Sequence, residues 1–380
     1  MIPAFSNEPL VIPGVGLGRN PRLDIMVNGR PKRIDGRFSR PNWCCFSQFP
    51  AAAELPPGRY GARLSTANGV SANVDIEVQP GPSLHRVLVP ARNGARQPYT
   101  ILILANAVFK AAGGLIRDPL AADQPRFGMM VSYILDDLLN QAEDLVSIRE
   151  ARGAIQFEIF RDPALPITDA NALAGAGRDP KYGQPLTQNL RNFLLARGLW
   201  ADVVYIVHGV DVHRIAYAYP ALDDLTREKK SYLLDGKPQT IGRFTQTPGA
   251  VAIWSKEDQA ASTAMHEFGH AASEGKTFVH DLYNDLPCPG IAINKRFRTR
   301  SADPVPQRFA DYEGRAFASA ADRWTGQAYR ATYRSYAPER TVAQLPNLMD
   351  AHQVGGRGCR FDRLTAQWFA DRLDFKTART

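Results

Sequence analysis

The sequence predicts an α/β domain built on a mixed sheet with a histidine-bearing helix, preceded by a small all-β sandwich of immunoglobulin type. Three observations lead there. The first 88 residues carry hairpin signals and alternating strands but no helical spacing. After about residue 89 the pattern changes to apolar strands alternating with amphipathic helices. A proline-marked stretch with Pro80, Pro82 and Pro90 separates the two regimes. The expected division is therefore 1–88 and 89–380. A chain of 380 residues accommodates it, since a domain averages ~150 residues.

In the first region, Asn28-Gly29 lies between two extended runs, and Asn-Gly supplies the positive φ angles of a type I′ hairpin turn. A second hairpin is centred on Asn68-Gly69. Val70, Ala72, Val74, Ile76 and Val78 alternate with polar residues behind it. Pro56-Pro57-Gly58 excludes a helix before it. The glycines of Gly14-Val15-Gly16-Leu17-Gly18 lack the preceding strand and following helix of a phosphate loop.

In the second region, residues 99–107 form a continuous apolar run, as in a buried strand. Residues 129–145 have helical spacing through Met130, Ile134 and Leu138. Strands are expected at 155–160, 202–210, 213–220 and 249–254, and a helix at 186–197 with Leu190, Phe193 and Leu194 on one side. A polar stretch with Lys229 and Lys230 precedes the last strand. A long helix over 256–274 follows, with Ser255 and Asp258 as its capping box and Gly275 as its stop.

Composition excludes several classes. Apolar residues make up 44% and charged residues 22%, as in a folded globular chain rather than a disordered or fibrous one. No apolar stretch approaches the ~20 residues of a membrane span. The opening residues lack a basic and then apolar segment, so no secretory signal is read there, and both a mature form that has lost one and a cytoplasmic location stay open. Four cysteines are too few for a disulfide scaffold; Cys288 and Cys359 either bridge or stay free thiols. The net charge of +8 favours acidic partners. Its densest cluster, Lys295, Arg296, Arg298 and Arg300, reads as a solvated loop or as an electrostatic lip. Only Phe297 interleaves it, so nucleic-acid binding is not expected.

The chemistry concentrates in His266-Glu267-Phe268-Gly269-His270, an H-E-x-x-H pattern on the long helix. Residues four apart are offset by ~40° and rise ~6 Å, so both imidazoles share a face. Two ring nitrogens at ~2.0–2.1 Å can bind one Zn²⁺. Glu267 beside them suits a general base toward water activated by that ion. Ala261, Met265, Phe268 and Ala272 form an apolar stripe next to the imidazoles.

A catalytic zinc needs a third protein ligand. Glu274 lies ~12 Å along the axis from His266, too far to share the ion. The ligand is expected after Gly275, from His280 first and Asp281 as the alternative. With His280 bound, Asp281 would orient a neighbouring ligand. Tyr333, Arg334 and Tyr336 are candidate donors to an oxyanion. Met349 is either a packing residue below the metal or an ordinary core methionine. Glu313 is an alternative distal ligand, His208 and His213 read as structural, and His352 lies near Met349 in sequence.

The stretch HEFGHAASEGKTFVHDLY resembles the metal-binding segment of the IgA-peptidase family of bacterial zinc metallopeptidases, zincins close to the metzincins. Tyr312-Glu313-Gly314, Tyr329-Arg330 and Tyr333-Arg334 resemble that family's Glu-Gly and Tyr-Arg segment. Pro346-Asn347-Leu348-Met349-Asp350 resembles the methionine turn of metzincins. The resemblance spans about residues 99–370. It implies a metzincin-like fold and a zinc-dependent endopeptidase with His266 and His270 as ligands and Glu267 as base, acting on a protein or peptide. The loop after His270 is longer than the family's and its usual acidic pair is not intact, so either His280 or Asp281 takes the third position. Two other classes stand beside this reading: a zinc-containing binding module without proteolysis, and a basic surface-binding or nucleic-acid-binding protein.

Overall fold

A computed structural model describes most of residues 1–138 and 155–272, together with residues 373 and 375–377. The N-terminal region contains β1 (Ile2–Phe5), β2 (Leu10–Pro13), β3 (Arg22–Val27), β4 (Arg30–Asp35), β5 (Phe38–Arg40), β6 (Trp43–Phe46), β7 (Gly58–Ser65) and β8 (Ser71–Gln79). They form a five-stranded sheet, β1-β8-β7-β3-β4, and a three-stranded sheet, β2-β6-β5. β1 and β8 pair in parallel, while the β3-β4 and β7-β8 hairpins are antiparallel. Asn28 and Gly29 turn the first hairpin at φ +50° and +76°, the left-handed geometry that a type I′ turn requires.

Between the two sheets lies an apolar core that includes Leu10, Ile12, Leu23, Ile25, Phe46, Phe49, Leu64 and Ile76. In the smaller sheet, Leu10, Val11 and Ile12 of β2 and Cys44, Cys45 and Phe46 of β6 are all buried, on both faces. Successive strand residues point opposite ways, so Cys44 enters this core while Cys45 and Val11 enter the core of the next region. Burial, followed by the neighbouring Cys45, pushes the Cys44 thiol up to about 12.

The second region carries β9 (His85–Val89), β10 (Tyr99–Ala105), β11 (Val108–Ala111), β12 (Gly114–Arg117), α1 (Gln124–Asp136), β13 (Ile155–Phe160), β14 (Ala172–Ala176), β15 (Gly183–Pro185), α2 (Thr187–Ala196), β16 (Val203–His208), β17 (Ala216–Tyr219), β18 (Leu222–Leu234), β19 (Lys237–Thr247), β20 (Gly249–Trp254) and α3 (Thr263–Ala272). Its main sheet has the order β17-β20-β16-β10-β13-β9. The four inner strands run parallel, and the two edge strands run antiparallel to their neighbours.

Both faces of this sheet are covered, which explains the unbroken apolar runs. Ile101, Ile103, Val203, Tyr205, Val207, Val251 and Ile253 face α1 and α3. Leu102, Leu104, Val204, Ile206, Ala250 and Ala252 face α2, through Leu190, Phe193 and Leu194. Each fully buried Leu, Ile, Val or Phe contributes about 1.5–3 kcal/mol relative to exposure. A smaller sheet, β12-β11-β14-β15, shares the α2 side.

Three features differ from the sequence expectation. β9 straddles the expected division at 88/89, and it pairs with β13 as an edge of the second sheet. Its flanking prolines gave it the look of linker. The polar stretch around Lys229 lies in β18 of a long β18-β19 hairpin, where the exposed Thr226, Arg227, Lys229 and Ser231 leave no apolar alternation to read. α1 begins earlier than its apolar spacing suggests, because the Asp123 side chain accepts from the Arg126 amide and Pro125 suits the first turn. Among the described residues, no helix is long and apolar enough to cross a membrane.

A buried ion pair joins the two regions. Arg86 Nε lies 2.9 Å from Glu8 Oε2, with the two side chains 12% and 4% exposed. Arg86 also donates to the Pro9 carbonyl at 2.6 Å and lies over the Phe5 ring. Burial lowers the pKa of the guanidinium, and the Glu8 charge opposes that shift. Removing one partner strands the other charge in the interior. Glu8→Gln is therefore expected to lower the unfolding free energy by about 3 kcal/mol in urea titration. An unchanged midpoint would show that the pair does not hold the regions together.

Candidate metal centre

The candidate residues stand on α3, which lies across the sheet beside β16, β17 and β20. Met265, Phe268, Ala271 and Ala272 are buried in the α1-side core, so the apolar stripe expected from the sequence anchors the helix. Ala261 and residues 256–262 and 273–274 of the expected helix lie outside the described residues, as do the Asp258 cap and the Gly275 stop.

The beginning of the described helix is held by three groups from other elements. Asp137, which follows α1 and is fully buried, accepts from the Met265 amide at 2.9 Å. Tyr133, on α1, hydrogen-bonds Thr263 and the neighbouring backbone. Tyr205, on β16, donates its hydroxyl to the Ala264 carbonyl at 2.8 Å. Burial holds the Tyr205 phenol well above its ordinary pKa, and the negative charges of Asp137 and Glu267 add to the shift. Burial and Asp137 do the same to Tyr133. Both phenols therefore remain neutral across the physiological range, Tyr205 as a donor to the helix.

The far end of α3 sits directly on the sheet. A Cβ placed on Gly249 would lie 1.9 Å from the Ala271 carbonyl oxygen, so only glycine admits this approach. The same carbonyl accepts from the Ala221 amide at 3.0 Å, which satisfies one of the unpaired acceptors at the helix end. β20 is fixed just before the helix by Ser255, whose amide donates to the His208 carbonyl and whose carbonyl accepts from Arg126 Nε at 2.8 Å.

With the helix pinned at both ends, His266 and His270 project together. Their Nε2 atoms are 3.2 Å apart and their ring planes are inclined at 84°. Two ligands at ~2.0–2.1 Å from a tetrahedral ion are ~3.3–3.4 Å apart, so the pair fits a shared Zn²⁺. Without a cation, the same spacing suits a ring N–H donated from one imidazole to the other. His266 is 3% exposed, whereas Glu267 and His270 are partly exposed, so the pair has an inner and an outer member.

His280, Asp281, Tyr333, Tyr336 and Met349 all lie outside the described residues. So do His213, Cys288, the basic cluster at 294–300, Glu313, Arg334, His352 and Cys359. Among the described residues, no group of three or more His, Cys, Asp or Glu side chains is arranged to hold a metal. Asp137, Tyr133 and Tyr205 are the supporting residues that sequence reasoning missed. They sit in apolar helical and strand patterns, and only the tertiary fold brings them to α3. No known protein-family model matches the chain, and no curated protein matches it either.

His208 ends β16, 1% exposed and 5.2 Å from the Phe109 ring. Burial depresses its pKa to about 4, with a Val210 backbone contact opposing the shift. The folded protein therefore keeps this ring neutral, while the unfolded chain takes up a proton below about 6.5. The resulting stability is complete above about pH 6.5 and is lost as pH falls toward 4. By pH 5 the loss is expected to reach ~2 kcal/mol, read from urea midpoints against pH. His208→Gln should flatten that slope, and an identical slope in the variant would remove His208 as its source.

Proposed function

We propose that the chain is a zinc-dependent endopeptidase acting on protein or peptide substrates. The single observation that carries this reading is the 3.2 Å convergence of His266 Nε2 and His270 Nε2, with Glu267 between them in sequence on a partly exposed side of the helix. His266 and His270 would hold the ion, with His280 or Asp281 as the third protein ligand. Zinc bound there supplies Lewis acidity, lowering the pKa of a coordinated water to about 7 and polarising a carbonyl.

The protein's own groups perform the rest. Glu267 accepts the proton of the attacking water and returns it to the departing amine, two transfers that suit one carboxylate near solvent. The buried Asp137, Tyr133 and Tyr205 keep α3 in place, so the imidazoles need little reorganisation to bind. Tyr333 and Tyr336 are proposed as oxyanion donors and Met349 as packing beneath the metal, on their sequence pattern alone. The metzincin-like character of the sheet and the immunoglobulin-like character of the N-terminal sandwich belong to the same proposal. The parallel inner strands, with α3 on one covered face, support the first. Two sheets enclosing one core support the second. The net charge of +8 favours acidic substrates.

Glu267→Gln tests the mechanism. The variant is expected to retain zinc while hydrolysis of a peptide library falls by about 10²–10⁴-fold. Equal hydrolysis by the two proteins would take the base role from Glu267. Hydrolysis that survives exhaustive chelation would remove the metal from the reaction.

A further inference from the structure

Four buried side chains from distant parts of the chain meet near the amino ends of β10 and β16: Asp202, Asp223, Thr245 and Lys376. Each is placed by its own segment. Asp202 directly precedes β16; its amide donates to the Thr100 carbonyl and its carbonyl accepts from the Gly249 amide, both at 2.9 Å. Asp223 and Thr245 are cross-strand partners in the β18-β19 hairpin. Lys376 belongs to the C-terminal segment, which Leu373 anchors in the α1-side core.

Their contacts form a relay. Lys376 Nζ lies 2.8 Å from Asp223 Oδ1, with the two side chains 3% and 1% exposed. Nζ also donates to Thr245 Oγ1 at 2.9 Å, and the Thr245 hydroxyl donates to Asp202 Oδ1 at 2.7 Å. The other oxygen of Asp202 accepts from the Thr100 amide at 2.9 Å. One amine therefore touches one carboxyl group directly, and a second through a hydroxyl able to pass a proton. Asp202 Oδ1 itself is 3.8 Å from Nζ.

Burial this deep penalises both members of an ion pair. Transfer of one proton from Nζ to Asp223 leaves an amine and a carboxylic acid, both neutral. Fixed alignment of the two favours reaction between them, and burial keeps bulk water from competing.

We propose that Lys376 and Asp223 condense into an isopeptide crosslink, with Asp202 as the proton shuttle. The Nζ lone pair attacks Asp223 Cγ and the C–N bond forms. Asp202, through the Thr245 hydroxyl, takes a proton from the nitrogen and delivers it to the departing hydroxyl of the carboxyl group. The C–O bond breaks and water leaves, so that ammonium and carboxylate become one amide and one water. No oxidant, reductant or cofactor enters the balance. The bond closes a loop between residues 153 apart in sequence, with α3 inside it, and its formation does not rest on the metal.

Intact-mass spectrometry of the full purified chain tests the bond. The wild type is expected to weigh one water less than its sequence, and its tryptic digest to contain a branched peptide joining the segments of Asp223 and Lys376. Lys376→Met should show the full mass of its sequence and no branched peptide. In Asp202→Asn, which leaves the reacting pair in place, the share of bonded chain should fall at least about tenfold. Wild-type protein of full sequence mass, without the branched peptide, would overturn the proposal whatever the variants do. An undiminished share of bonded chain in Asp202→Asn would overturn the shuttle.

Discussion

The arrangement of the candidate centre depends on how α3 is fastened to the rest of the sheet. At its beginning, a buried carboxylate and two neutral phenols from α1 and β16 meet the helix backbone and Thr263. At its end, a backbone contact over Gly249 leaves no room for a side chain. Such contacts are directional, whereas the apolar packing of Met265 and Phe268 is not. Packing keeps the helix on the sheet; the polar contacts fix its rotation and its position along its axis. Residues on one helical face then meet only because that face is aimed, and His266 and His270 inherit their convergence from this fastening.

The N-terminal sandwich is part of the same construction. Its smaller sheet sends Cys44 and Phe46 into its own core, and Cys45 and Val11 into the core shared with α1. Cys45 Sγ lies 3.6 Å from Ser132 Oγ on α1. Together with the Glu8–Arg86 pair, this makes the sandwich a support for the helix that in turn holds α3. The adjacent cysteines are a consequence of strand geometry, with one side chain committed to each core.

Where one interaction dominated, the sequence was easily read. The central strands announced themselves through unbroken apolar runs, because burial on both faces leaves no polar positions. Asn28-Gly29 marked its turn because few other residues accept two successive positive φ angles. The H-E-x-x-H helix was legible from spacing alone. Elements set by longer-range contacts were not. β9 becomes a strand by pairing with β13, far along the chain, and the middle of β18, from Thr226 to Ser231, is polar. Asp137 and Tyr205 look like an ordinary acidic residue and an ordinary strand aromatic until the fold brings both to α3. The cluster of Asp202, Asp223, Thr245 and Lys376 draws on separate segments, so no local pattern could announce it. Readings that fall on residues 273–372 rest on the sequence itself.

X-ray absorption at the zinc edge, on protein purified without added metal, tests the central claim most directly. One zinc per chain is expected, with at least two imidazole nitrogens at about 2.0–2.1 Å, and that signal should be lost in His270→Ala. Protein that binds no zinc, or zinc whose spectrum is the same in wild type and His270→Ala, would contradict it.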